Sequence, residues 1–92
     1  MAVLSNEEFN AIIRQFNGEY ESADNVHRRP FVDAHHGFAI LKEEVDEMWD
    51  AIKDDKLGLA IEECGQVAAM CMKFIKDLHF DADLRKKELD VR

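Results

Sequence analysis

Three carboxylates and one amide set the chemical question for this chain. Glu44 and Glu47 stand three positions apart, and so do Glu63 and Gln66. On an α-helix, positions three apart share a face. At about 100° per residue with Glu44 as origin, the apolar stripe of its segment centres near ~80° and Glu47 falls at about −60°. With Glu63 as origin, the stripe of the next segment again centres near ~80° and Gln66 falls at about −60°. Each segment therefore carries two oxygen-bearing side chains on the shoulder of its apolar face. Glu43, Asp46 and Asp50 turn further toward water.

If the two helices are antiparallel neighbours, these pairs meet across a seam. Carboxylates held together repel, and a hard divalent cation offsets that repulsion. Mg²⁺ takes oxygen ligands, keeps several waters and bridges to substrate phosphates, with Mn²⁺ as a substitute. The plainer reading of the same residues is a solvated acidic rim beside a helix stripe. A di-iron bundle needs Glu-x-x-His pairs. The residues three beyond Glu43, Glu44, Glu62 and Glu63 are Asp46, Glu47, Gly65 and Gln66, so that chemistry is set aside.

Helices must position these groups, and the pattern supplies them. Ser5 with Glu8 three residues later reads as a capping box. Phe9, Ile12, Ile13, Phe16 and Tyr20 then recur at helical spacing, which predicts a helix over about 6–21. The stretch ESADNVHRRPFVDAHHG is polar, aperiodic and holds the only proline, and reads as a loop. Phe38, Leu41, Val45, Met48 and Ile52 form the stripe of a second helix over about 34–54, with Asp33 placed to cap it. KDDKLG is a short connection, so helices two and three should be antiparallel. The third helix runs over about 57–78. Its expected apolar face includes Ala60, Ile61, Cys64, Val67, Cys71, Phe74, Ile75 and Leu78. Asp81 or Asp83 is placed to cap a short fourth helix bearing Leu84 and Leu89. No strand pattern competes. The expected fold is all-α: a single-domain antiparallel bundle of three long helices plus a short C-terminal one, completed by oligomerisation.

Composition narrows the partners. A chain of 92 residues buries a modest core, and self-association is a common way for helical chains of this size to add to it. The net charge of −8 repels nucleic-acid backbones and anionic membranes, which leaves neither as a partner. A phosphate ligand would need a cation to reverse the local field. Cys64 and Cys71 lie seven residues apart on one helix face, too far for a mutual disulfide. They read as small buried hydrophobes in a reduced, cytoplasmic protein. MAVLSNEEF turns acidic too soon for a signal peptide, and no apolar run approaches membrane-spanning length.

The two acidic motifs together, EEVDE at 43–47 and EECGQ at 62–66, resemble those of the MazG-like all-α nucleotide pyrophosphohydrolases, whose pattern is EExxE, a spacer and ExxD. The flanks HHGFAILKEEVDEMWDAIK and EECGQVAAMCMKFI are similar to the short phage-type and bacterial members, and the likeness covers about 34–78. The resemblance implies Mg²⁺-dependent hydrolysis of a nucleoside triphosphate, often a deoxy or non-standard one, to monophosphate and pyrophosphate. It implies a homodimer or homotetramer. By position, Glu44, Glu47 and Glu63 match the family's metal ligands, and Glu43 the leading acid of its first motif. Gln66 stands where the family has aspartate: its amide oxygen can still ligate a hard cation, but it brings no charge and cannot act as a base. Glu47 and Glu44 are the residues expected to act on the attacking water.

Three substrate contacts are candidates. His36 stands near the N-terminus of the second helix, where the helix dipole favours anions. Trp49, the only tryptophan, offers a stacking surface for a base, and packing is its plainer role. Lys56 leads the lysines, with Lys53, Lys73 and Lys76, that are available for phosphate or simply for water. The alternative to an enzyme is a non-catalytic helical assembly module, or one that binds nucleotide or metal without turnover.

Overall fold

In a computed structural model, which describes residues 3–26 and 29–81 and the side chains of all but 24–26 among them, α1 runs Asn6–Val26. Its capping box forms as expected. The Ser5 amide donates to Glu8 Oε1 at 2.9 Å, and the Glu8 amide donates to Ser5 Oγ at 3.1 Å. These bonds hold the Glu8 carboxyl below the usual range. The helix then runs five residues past the expected end at 21, because Gly18 costs propensity without breaking the ladder.

Helix α2 spans Ala34–Lys53, and Asp33 caps it by accepting from the His36 amide at 2.8 Å. Its far end closes with Asp55 in the left-handed region at φ 56°. The Lys56 amide reaches the Ala51 carbonyl and the Asp55 amide that of Ile52, the pair of bonds that ends a helix in a tight reversal. Helix α3 then spans Leu57–Ile75 and passes into a single π-helical turn at Lys76–Phe80. No strand occurs among the described residues, and none of their helices is long and apolar enough to cross a membrane. The expected C-terminal helix with Leu84 and Leu89 lies outside the described residues.

Helix α3 lies between the other two, which pack along it rather than on each other. Gly37, at the start of α2, sits against Phe74, near the end of α3, so those helices are antiparallel. A Cβ at Gly37 would come within 2.7 Å of the Phe74 ring, so only glycine allows this approach. On the other flank, Gln15 donates to the Ile61 carbonyl at 3.3 Å, and Tyr20 packs on the cluster around Ala69 and Met70. Sequence numbers rise together there, so α1 runs parallel to α3.

The centre of the core is unexpected. Phe31, Ala69 and Met70 are fully buried, with Tyr20, Ala23, Ile40, Leu41, Phe74 and Leu78 around them. Phe31 comes from the stretch read as a polar loop. Its amide donates to Asp77 Oδ2 at 2.9 Å, and the same oxygen accepts from Lys73 Nζ at 2.8 Å. Lys73 also lies 4.9 Å from the Phe31 ring centroid. Lys73 and Asp77 are both buried, so Lys73 is no surface lysine available to phosphate.

The apolar stripes are only partly core. On α2 the line facing α3 includes Gly37, Leu41, Glu44, Met48 and Ala51, while Phe38 is 59% exposed and Val45 and Ile52 each 44%. On α3 Ile61, Cys64, Cys71 and Ile75 are exposed, against the expectation that they pack inside. On α1 Phe9 and Ile13 are exposed, and Ile12, Phe16 and Tyr20 are half-buried. The reason is geometric: α2 carries an apolar arc wider than its one neighbour covers, and α3 keeps an apolar line that neither α1 nor α2 covers.

Two substitutions test this packing. Asp77→Ala strands a buried ammonium and should cost about 3–5 kcal/mol in urea unfolding, far more than a surface ion pair. Gly18 has nothing within 4 Å of where a Cβ would stand. Gly18→Ala should therefore stabilise by about 0.5–1 kcal/mol, read as a rise in melting temperature.

Candidate metal centre

The first acidic motif enters the fold on α2 and the second on α3. Seven residues make close to two helical turns, so Gly37, Glu44 and Ala51 fall on one line. Gly37 and Ala51 are both buried, Gly37 against Phe74 of α3. Glu44 is carried into the same contact between them. Glu47, one turn on, opens toward solvent. From α3, Glu63 follows the buried Ala60 by one turn and reaches the same place from the other side.

One ligand oxygen from each of Glu44, Glu47 and Glu63 lies within 4.8 Å of the others. Glu44 and Glu63 are half-buried and Glu47 is exposed. Glu44 Oε2 and Glu63 Oε2 are each shielded from water and have no hydrogen-bond partner. A buried carboxylate oxygen without a donor is costly. The donor set of three carboxylates, with one side open, suits a hard divalent cation that retains water.

The electrostatics follow from this crowding. Burial first, then repulsion from Glu47 and Glu63, pushes the Glu44 carboxyl up to about 7. Glu63 is also raised, by burial first and then by Glu47 beside it. Near neutral pH Glu44 is thus partly protonated, and an incoming cation would displace that proton.

Gln66 follows Glu63 by one turn, half-buried on the same side of α3. His36 precedes Glu44 by eight residues, about 12 Å along the helix. Its Nδ1 accepts from the Val32 amide at 3.0 Å, and its ring meets Phe31 edge-on at 5.4 Å. That bond leaves Nε2 as the proton-bearing nitrogen of the neutral ring. Trp49 is 56% exposed and carries the Lys53 ammonium at 5.8 Å. Its angle turns it away from the carboxylates, onto the outer apolar line of α2. Lys56 is exposed at the start of α3, two turns before Glu63. The sequence reading missed the structural role of Lys73 and Asp77. The available signal was a Lys–Asp pair four apart inside an otherwise apolar helix face.

The sign of the pH dependence is fixed by the raised carboxyls. A group with its folded pKa lifted from 4.5 to about 7 stabilises the fold below 4.5, and that contribution is lost as pH rises through 7. The metal-free melting temperature should therefore fall between pH 4.5 and 7.5, and Glu44→Gln should flatten the fall. Adding Mg²⁺ at pH 7.5 should restore stability to the parent chain and much less to Glu63→Gln. Comparison with family models, with characterised proteins and with solved structures gave no match, so the site is read from its own residues and geometry.

Proposed function

We propose that this protein is a Mg²⁺-dependent nucleotide pyrophosphohydrolase. It would cleave a nucleoside triphosphate to its monophosphate and pyrophosphate. The observation that carries the reading is the trio Glu44, Glu47 and Glu63, gathered within 4.8 Å with two buried oxygens lacking a donor. The likeness of EEVDE and EECGQ to the MazG-like motifs supplies the substrate class.

Glu44, Glu47 and Glu63 would hold the cation, with the Gln66 amide oxygen as a neutral supplement. A cation bound there offsets phosphate charge and lowers the pKa of its water. The protein's own part is positioning and proton handling. Glu44 and Glu63 are fixed by the α2–α3 contact, which sets where a phosphate can sit. Glu47 is the exposed member of the trio and is free to orient an attacking water and take its proton. With glutamine at 66, no fourth carboxylate shares that task. Lys56, beside the open end of the α2–α3 connection, is the nearest of the candidate lysines in register to Glu63. In this reading the protein acts in the cytoplasm as a homodimer or homotetramer.

A non-catalytic assembly module is the second reading, and the exposed apolar lines of α2 and α3 favour it. A panel of (deoxy)nucleoside triphosphates with Mg²⁺ separates the two. Pyrophosphate release is expected with at least one of them, and Glu47→Gln should lower kcat by roughly 10²-fold or more. Glu44→Gln and Glu63→Gln should weaken Mg²⁺ binding, and Gln66→Asp should raise turnover. No pyrophosphate from any nucleotide, with Mg²⁺ binding indifferent to Glu44→Gln and Glu63→Gln, would rule the enzyme out.

A further inference from the structure

The core fills one end of the molecule. Tyr20 of α1, Ile40 of α2 and Met70 of α3 meet there around Phe31. Seven residues make close to two helical turns, so each line can be followed about 10 Å toward the other end. On α1, which runs with α3, Tyr20 leads back to Ile13 and Ala23 to Phe16. On α2, Ile40 leads forward to Glu47, and on α3 Met70 leads back to Glu63. Lys73, whose ammonium lies against the Phe31 ring, leads back to Gln66. The register agrees, because Gln15, between Ile13 and Phe16, donates to the Ile61 carbonyl two residues from Glu63. The side chains that enclose Phe31 at one end thus give way, at the other, to an apolar wall on α1 facing the carboxylates of α2 and α3.

This second end stands open. Ile13 is 37% exposed, Glu47 and Glu62 are exposed, and Phe16 and Gln66 are half-buried. We infer that the slot is the seat of the substrate's nucleobase, held flat on Phe16 and Ile13 in the place that Phe31 takes at the other end. The inference rests on the nucleotide reading of the carboxylate trio and adds the part of the site that holds the base.

Shape and chemistry select a flat ring as the occupant. Helices α1 and α2 each pack on α3 and not on one another. At the usual 8–10 Å between packed axes, two helices on different sides of a third stand up to about 16–20 Å apart. That span admits a nucleotide with its base at the α1 wall and its phosphates at Glu44, Glu47 and Glu63. Phe16 and Ile13 are apolar, and stacking a base on an aromatic wall is worth about 1–3 kcal/mol whichever base it is. The wall therefore grips the ring by its face. Gln66, between the walls, offers an amide that both donates and accepts at the ring's edge. Trp49, the stacking surface expected from the sequence, lies on the outer line of α2 and does not face this slot.

Kinetics and calorimetry on the full chain test this, with Mg²⁺-tripolyphosphate as the probe that has phosphates and no base. Ile13→Ala with Phe16→Leu should raise KM for a nucleoside triphosphate roughly tenfold or more, with kcat kept within about threefold. Inhibition by tripolyphosphate should be unchanged. If that variant unfolds, Ile13→Trp, which fills the slot from a part-exposed position, decides by the same comparison. A nucleotide KM that does not move overturns the inference, and so does a KM that rises in step with weaker tripolyphosphate inhibition. The enzyme reading fails separately. A parent that releases no pyrophosphate, yet binds an α,β-methylene nucleoside triphosphate through Ile13 and Phe16 in calorimetry, keeps the subsite and loses the enzyme. A parent that turns nucleotides over with KM indifferent to both residues keeps the enzyme and loses the subsite. One that neither cleaves nor binds a nucleotide overturns both.

Discussion

The rotation of α2 about its own axis decides most of what this molecule presents. Gly37 allows the start of α2 to press against Phe74, where any Cβ would collide. Ala51, toward the other end of α2, is buried as well. Glu44 lies midway on the line between them and is drawn into the contact. The same rotation turns Phe38, Val45 and Ile52 outward. The acidic centre and the exposed apolar line are therefore two results of one packing choice, on opposite sides of the α2–α3 pair.

Drawing a glutamate into a helix contact is unfavourable unless its charge is answered. Glu63 arrives from α3 and Glu47 from the next turn of α2, so the crowding grows. The cluster has two ways to relieve it: hold protons, which is the meaning of a Glu44 carboxyl pushed up to about 7, or hold a cation. A cation held there would compete with the proton for the same oxygens, which would link fold stability to ligand binding through one group of atoms.

At the other end of the α2–α3 pair, the buried charge is already answered. Asp77 accepts from both Lys73 and the Phe31 amide, which ties the segment before α2 to the end of α3. Phe31 fills the core and His36 packs on it. The start of α2 is thus fixed by a paired ion and an aromatic anchor.

Much was legible in the sequence. The three-to-four spacing of Phe38, Leu41, Val45, Met48 and Ile52 gave helix α2, and Asp33 and Ser5 gave two helix starts. The equal angles of Glu44–Glu47 and Glu63–Gln66 pointed to a shared site, and its three carboxylates do converge. What periodicity does not determine is which part of a wide apolar arc meets a neighbour. An arc on α2 spanning Gly37 to Trp49 offers several rotations of similar apolar content. Close approach at Gly37, with Ala51 buried on the same line, selected one, and that choice exposed residues read as core. Phe31 escaped notice because a single aromatic in a polar stretch has no period. Its partners Asp77 and Lys73 stand more than forty positions away. Local pattern fixes helices because their bonds are local, whereas burial and shifted carboxyls depend on neighbours that only tertiary packing supplies.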